Sequence, residues 1–169
     1  VAAAHHRGMR VLFDMVIHGF HPTSPVVRQH PEFFCRGEDG QIALHPEWKS
    51  ATPDWALPAY RCYMANLARH HVEEYGFDGY RVDAAAFKGP NWDPALPYPA
   101  YLSGSAALGL LREMLAAIRA VNPDAVLLNE VFGPLYYGAC DLSHENMTMG
   151  PQIFLDELAL GEAEALDYK

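Results

Sequence analysis

Three acidic residues lie at or near the ends of three apolar segments of the chain. Asp14, Asp83 and Glu130 each belong to a short run rich in Val, Leu or aromatic residues, which is typical of buried parallel strands. Because the carboxyl ends of parallel strands meet at one edge of a sheet, we expect two or three of these carboxylates to share a site. Two carboxyl groups in different surroundings are the minimum equipment for cleaving a glycosidic bond.

A cation lies close to one of these acids. Arg81 precedes Asp83 by two residues, so both side chains of a strand point to the same face. We therefore expect Arg81 to contact Asp83 or Asp14 and to lower the pKa of the acid that it contacts. The alternative is a purely structural Arg81–Asp83 pair, with Glu130 capping a helix or binding a loop.

The elements that must position these residues alternate along the chain. Strands are predicted at 10–17, 77–83 and 125–131, and helices at 2–8, 58–75, 105–121 and 152–166. This alternation predicts an α/β fold with parallel strands. Long loops are predicted at 18–57, 88–103 and 133–151. They follow the strands, at the edge where α/β folds bind ligands.

Composition excludes several classes of protein. The chain has 169 residues, half of them hydrophobic, which suits one domain or part of one. Its 12 Lys and Arg against 21 Asp and Glu give a net charge of −9, which argues against nucleic acid and anionic membrane surfaces as partners. No apolar stretch approaches the roughly 20 residues of a membrane span. Three widely spaced cysteines predict ordinary thiols, and nothing indicates a compartment.

Two segments resemble motifs of a known family. The run from Gly79 to Asp83 resembles the G-x-R-x-D segment of the α-amylase family of glycoside hydrolases (family 13), and the run from Leu127 to Val131 resembles its fifth-strand segment. Residues 10–18 resemble the third barrel strand with its D-x-x-x-N-H motif. The resemblance covers roughly residues 3–133. It implies a partial (β/α)8 TIM barrel, with residues 1–169 carrying strands three to five of the catalytic domain.

The resemblance also implies a reaction and its residues. The expected function is a retaining glycosidase or transglycosylase acting on α-glucans or α-glucosides. Asp83 would be the nucleophile and Glu130 the acid/base, with Arg81 and Asp14 in support. A retaining pair is expected to have carboxyl groups about 5–5.5 Å apart. The expected partner is an oligo- or polysaccharide.

Substrate-binding residues are expected among His18, Tyr80 and Trp92. His18 and Gly19 occupy the places of the family's Asn-His pair, so the substrate-binding His is either lost or replaced by His18 or His21. Several loop aromatics predict either sugar-stacking platforms or loop packing; they are Trp48, Trp55, Trp92, Tyr98 and Tyr101.

The family's third catalytic carboxylate, on the seventh strand, has no counterpart before Lys169. A complete barrel needs roughly 200 residues or more. The expectation is therefore a fragment of a glycosidase barrel with little or no activity alone.

Two other classes of function stay open. One is a non-catalytic sugar-binding or assembly protein that keeps the barrel strands. The other is a metal-dependent barrel hydrolase using His18, His21 and the acids. For the glycosidase we expect no required cofactor and no metal at the catalytic site, with calcium as an accessory ion held by acidic loops.

Overall fold

A computed structural model describes residues 1–86, 88–130 and 136–143. Four parallel strands form one sheet in the order β1-β2-β3-β4. The strands are β1 (Leu12–Val16), β2 (Gly79–Asp83), β3 (Val126–Asn129) and β4 (Leu142–Ser143). The helices are α1 (Ala2–His5), α2 (Pro25–Gln29), α3 (Pro58–Tyr75), α4 (Leu102–Ser105) and α5 (Ala107–Arg119), with a 3₁₀ turn at Pro31–Phe33. The predicted parallel α/β arrangement is confirmed.

The register of the sheet brings the acidic residues side by side. Asp14 on β1 pairs with Arg81 on β2, and Val16 pairs with Asp83. Val82 pairs with Asn129 on β3, so Glu130 follows the sheet at the level of Asp83. All of these ends lie at the same edge because the strands are parallel.

The helix α3 has the bounds that its sequence predicts. Pro58 occupies its first turn, where the missing N–H costs nothing, and Gly76 ends it with φ +70°. Its buried residues repeat every four positions along one face; they are Tyr60, Met64, Ala68 and Val72.

The core lies between the sheet and two helices. The buried face of α5 contributes Leu110, Leu111, Met114 and Ile118, and α5 packs against α3. From the sheet, Tyr80, Val82 and Leu127 point into this layer and are fully buried. The opposite face of the sheet carries Asp14, Arg81 and Asp83 together with apolar residues such as Val16 and Leu128.

The segment 18–57 is more ordered than the long loop predicted there. Isolated antiparallel bridges join Phe20 to Ala51 and Phe34 to Pro53, and α2 lies within it. Near its end, the Trp55 indole donates a hydrogen bond to the carbonyl oxygen of Ile17 at 3.0 Å. The segment thus folds back on the carboxyl end of β1.

Some boundaries differ from the sequence predictions. Each of the first three strands is shorter than predicted, although beyond β1 and β2 the Asp78 N–H still donates to the carbonyl oxygen of Val11 at 2.9 Å. The strand β4 lies inside the predicted loop 133–151. Its two residues are too few to show a periodic pattern, so the sequence did not indicate it. The helix predicted at 152–166 lies outside the described residues. Within the described ranges, no helix combines the length and apolarity needed to cross a membrane.

Candidate active site

Arg81 connects three carboxylates at the strand ends. Its Nη1 lies 2.9 Å from Asp14 Oδ1 and 2.6 Å from Asp83 Oδ1, and its Nη2 lies 2.6 Å from Glu130 Oε1. The contact of Arg81 with Asp83 and Asp14 predicted from side-chain alternation is present. Asp83 and Glu130 share one guanidinium, so their carboxyl groups face the same side of the sheet.

Glu130 is held by the backbone as well as by Arg81. Its Oε2 accepts a hydrogen bond from the Ala84 N–H at 2.9 Å. Ala84 directly follows Asp83 and has φ +41°, a left-handed conformation that costs a non-glycine residue about 1 kcal/mol or more. The turn after β2 therefore connects the two carboxylates through the main chain.

His18 approaches Asp83 from the neighbouring strand. Its Nε2 lies 2.9 Å from Asp83 Oδ2, and its side chain is only 11% exposed. The preceding residue is fixed, because the carbonyl oxygen of Ile17 accepts hydrogen bonds from Trp55 at 3.0 Å and from the Tyr60 hydroxyl at 2.9 Å. His18 is thus positioned by buried contacts behind it.

These contacts determine the charge of Asp83. Partial burial raises the pKa of Asp83, whereas hydrogen bonds with Glu130, His18 and Arg81 lower it, as does the positive charge of Arg81. The lowering contacts prevail, so the pKa of Asp83 lies below its ordinary value. Asp83 is ionised at neutral pH, which is the state that a carboxylate nucleophile needs.

A cavity of about 850 Å³ opens over this pair. Its described lining consists of Val16, His18, His45, Glu47, Trp48, Asp83, Ala84 and Glu130. A cavity of this volume can hold a small-molecule ligand beside both carboxylates. Carboxylates, an imidazole and an indole face would surround such a ligand.

The substrate-binding prediction for Tyr80 is wrong. Tyr80 is fully buried on the helical side of the sheet, and its hydroxyl donates to the carbonyl oxygen of Ala68 at 2.8 Å. Strand alternation explains this, because Tyr80 lies between Arg81 and Gly79 and must point to the face opposite Arg81.

The structure places Trp92, the third predicted substrate-binding residue, outside the described lining of the cavity. Trp92 is 52% exposed, but it is not among the described residues that line the cavity. Trp48 lines it instead, together with His45 and Glu47, which carried no functional prediction. The aromatic content of the loops indicated Trp48 only as one of several candidates, because spacing does not show where a loop tip will lie.

Close packing explains why the residue after His18 is a glycine. A Cβ on Gly19 would lie 2.2 Å from the Ser50 Oγ. Ser50 therefore occupies the space that a side chain at position 19 would need. Of the two stand-ins considered for the family's histidine, His18 lines the cavity, whereas His21 hydrogen-bonds to Thr23 Oγ1 at 2.9 Å.

Metal ligation was considered for the same edge of the sheet. The part of the chain that the structure describes contains no group of three or more His, Cys, Asp or Glu side chains arranged to hold a metal ion. The three acids instead contact the guanidinium of Arg81. The accessory calcium ion stays a prediction.

Solved structures that are similar to this chain include α-amylases. The chain matches a maltogenic α-amylase from Thermotoga neapolitana with a TM-score of 0.68 and 25% identity, over 97% of this chain and 34% of that one. It matches an α-amylase from Lactobacillus plantarum with a TM-score of 0.73 and 22% identity, over 99% of this chain and 39% of that one. The chain has the fold of part of an α-amylase family barrel. The partial barrel predicted from the sequence is confirmed.

Other glycosidases match in the same way. A cyclomaltodextrinase covers 84% of this chain with a TM-score of 0.59 and 22% identity, and the match takes in 25% of that enzyme. The chain thus spans well under half the length of these neighbours. No family model matches the sequence. The chain also matches an α-galactosidase from Thermus thermophilus with a TM-score of 0.56 and 20% identity, over 82% of this chain and 29% of that one. That structure is a complex with stachyose.

Proposed function

We propose that this part of an α-amylase family barrel carries the catalytic pair of a retaining glycoside hydrolase or transglycosylase acting on α-glucans or α-glucosides. The observation that carries the proposal is the joint attachment of Asp83 and Glu130 to Arg81, at 2.6 Å each, beneath one cavity. Two carboxylates held at fixed positions beside a ligand space are what double displacement at an anomeric carbon requires.

The two carboxyl groups take different roles. Asp83 is ionised and attacks the anomeric carbon, which forms a glycosyl ester as the glycosidic bond breaks. Glu130 gives its proton to the departing glycosidic oxygen. In the second step Glu130 takes a proton from water or from a sugar hydroxyl, whose oxygen then displaces Asp83 from the anomeric carbon.

Arg81, Asp14 and His18 position the pair. Arg81 neutralises the charge of Asp83 and fixes its orientation toward the cavity, while Asp14 completes the contacts of the guanidinium. Arg81 contacts one oxygen of Asp83 and His18 contacts the other, so the two contacts together fix the orientation of the carboxylate. His18 also lines the cavity and is proposed to contact the bound sugar.

The neighbouring structures support the class of substrate. An α-amylase from Geobacillus thermoleovorans is complexed with acarbose, and a pullulanase from an Anoxybacillus species is complexed with maltotetraose. Both share this fold, and α-linked oligosaccharides are accordingly proposed as the ligands of the present cavity.

The decisive experiment is covalent trapping of the glycosyl ester. In a protein that carries these residues within a complete barrel, a fluorinated α-glucosyl fluoride should form the ester, and peptide mass spectrometry should place the sugar on Asp83. The 169 residues alone are expected to show little or no turnover. Asp83→Asn should show no label, and Glu130→Gln should label from the activated fluoride but turn over aryl glucosides with poor leaving groups much more slowly. Oligosaccharide binding without any label or turnover would contradict catalysis and favour the sugar-binding alternative.

A further inference from the structure

One wall of the cavity is an aromatic surface from the segment 18–57. The Trp48 ring stacks on His45 with centroids 4.0 Å apart and an interplanar angle of 15°. It also lies 4.3 Å from the His18 ring at 44°. Trp48 stays 43% exposed although two imidazoles cover part of it. A large part of this residue is therefore left uncovered in the cavity that Asp83 and Glu130 also line.

The turn that carries Trp48 is held by its own side chains. The Nδ1 of His45 accepts hydrogen bonds from the backbone N–H groups of Glu47 and Trp48, each at 3.3 Å. Lys49 has φ +55° and donates from Nζ to the carbonyl oxygen of Pro46. The His45 N–H donates to the carbonyl oxygen of Ser50 at 2.8 Å, which closes the turn. The indole is thus oriented by a structured turn.

The turn is also attached to the end of β1. Phe20 and Ala51 exchange backbone hydrogen bonds of 3.0 and 2.7 Å, and Gly19 allows Ser50 to approach closely. These contacts place the tip of the turn over the strand end that precedes His18. A preformed binding surface needs this attachment, because ordering a free loop on binding would cost affinity.

We infer that Trp48 is a stacking platform for a pyranose ring adjacent to the bond that Asp83 and Glu130 cleave. The inference rests on the proposed glycosidase function and names a specificity-determining residue for it. The C–H face of a pyranose is apolar and matches an exposed indole, whereas its hydroxyl groups need hydrogen-bond partners at the edge. Glu47 lines the same cavity and supplies carboxylate acceptors.

The other two tryptophans show why Trp48 is distinct. Trp55 is fully buried, and its indole N–H is bonded to Ile17, so it packs the core. Trp92 is exposed on the 88–103 segment and is not among the described lining residues of the cavity. Trp92 is therefore a matched control, because it offers the same chemical group outside the described lining of the cavity.

The platform predicts a preference for ligands with more than one sugar. A monosaccharide held at the carboxylates would leave the indole uncovered, whereas an oligosaccharide would cover both. Trp48→Ala should therefore weaken binding of maltotriose and longer maltooligosaccharides about tenfold, which is about 1.4 kcal/mol. Trp48→Phe should recover part of the affinity because an aromatic face is retained.

The test is calorimetric titration of maltooligosaccharides into Trp48→Ala, Trp48→Phe and Trp92→Ala, with circular dichroism and melting curves to verify the fold. Unchanged affinity in Trp92→Ala with the loss in Trp48→Ala supports the platform. Equal affinities in folded Trp48→Ala and Trp92→Ala, with labelling of Asp83 retained in both, overturn the platform but leave the glycosidase function standing. If neither binding nor labelling occurs in the unmodified protein, the function and the platform both fail.

A spectroscopic measurement tests the same contact without truncating the ring. In a Trp92→Phe protein, Trp55 is buried and Trp48 is the exposed fluorophore. Maltooligosaccharides should shield its emission from iodide quenching, whereas glucose should shield it much less. Quenching that saturating maltooligosaccharide leaves unchanged would overturn the platform.

Discussion

Arg81 and Glu130, from neighbouring strands, form an ion pair with 2.6 Å between Nη2 and Oε1. The other terminal nitrogen of the same guanidinium binds Asp83 at 2.6 Å. The two carboxyl groups therefore reach the cavity as a unit whose geometry depends on one planar cation. A guanidinium can do this because its donors are arranged in a rigid fork, which an ammonium group lacks.

Removing that cation should disable the site. We expect Arg81→Leu to lower kcat/KM at least a hundredfold, which is about 2.7 kcal/mol, because Asp14 and Asp83 then lose their counter-charge and Glu130 loses the donor that fixes its position. Unfolding free energy should fall by about 2 kcal/mol. Arg81→Lys should restore part of the stability but little activity. Aryl glucoside kinetics and urea unfolding measure both effects.

The control for Arg81 is a surface ion pair. Arg69 binds Glu73 at 3.2 Å on α3, and both side chains are about half exposed. Arg69→Leu should change stability by at most about 0.5 kcal/mol and leave activity unchanged. Equal losses in the two variants would contradict the special role of Arg81.

The pH dependence follows from the lowered pKa of Asp83. Its ordinary value is about 3.9, so the acid limb of kcat/KM should lie below about pH 4. The free energy of unfolding should also fall at low pH. An acid with a lower pKa in the folded state contributes stability above about pH 4, and that contribution is lost as pH falls through the folded-state pKa.

His18 provides the means to test this assignment. His18→Ala removes one of the hydrogen bonds that lower the pKa of Asp83, so the acid limb of the pH–rate profile should move to higher pH. His30 bonds to Glu32 at 3.1 Å on the surface, and His30→Ala should leave the limb in place. An acid limb at the same pH in His18→Ala would show that the contact with His18 does not lower the pKa of Asp83.

Gly79 should tolerate no side chain. It has φ +144°, and a Cβ at this position would lie 1.8 Å from the carbonyl oxygen of Val126 on the adjacent strand. Gly79→Ala should therefore separate β2 from β3 and destabilise the protein by about 4 kcal/mol or more. Gly89→Ala is the matched control, because among the described residues other than its chain neighbours no atom lies within 4 Å of the position of an added Cβ. Thermal melts compare the two.

Asp78 should support the fold from the opposite end of the sheet. Its Oδ2 accepts hydrogen bonds from the Val11 N–H at 2.7 Å and from His5 Nε2 at 2.7 Å. Asp78→Ala leaves the Val11 donor unsatisfied and should cost about 2 kcal/mol. The kcat of the folded fraction should stay unchanged, because the site is at the other strand ends.

The control for Asp78 is Asp39, which accepts from the Gln41 N–H at 3.0 Å in an exposed turn. Asp39→Ala should have no measurable effect on unfolding, since water replaces the lost contact. A loss of kcat in Asp78→Ala at full folding would contradict a purely structural role.

Local physical chemistry determined a good part of this molecule. The period of α3, its Pro58 start and its Gly76 stop were sufficient to predict its bounds, because these signals act within one element. Alternation along β2 predicted that Arg81 and Asp83 share a face. The same rule, applied to Tyr80, would have placed it in the core, so that error was avoidable from the sequence.

Other features depended on contacts between distant segments. The Arg81–Glu130 bond required the register of β2 against β3, and the position of Trp48 required the turn at His45 to fold back over β1. The two-residue strand β4 has no pattern of its own and exists only through pairing with β3. Side-chain periodicity is a property of a single element, whereas a site at strand ends depends on how separate elements are aligned. That alignment is decided by tertiary packing.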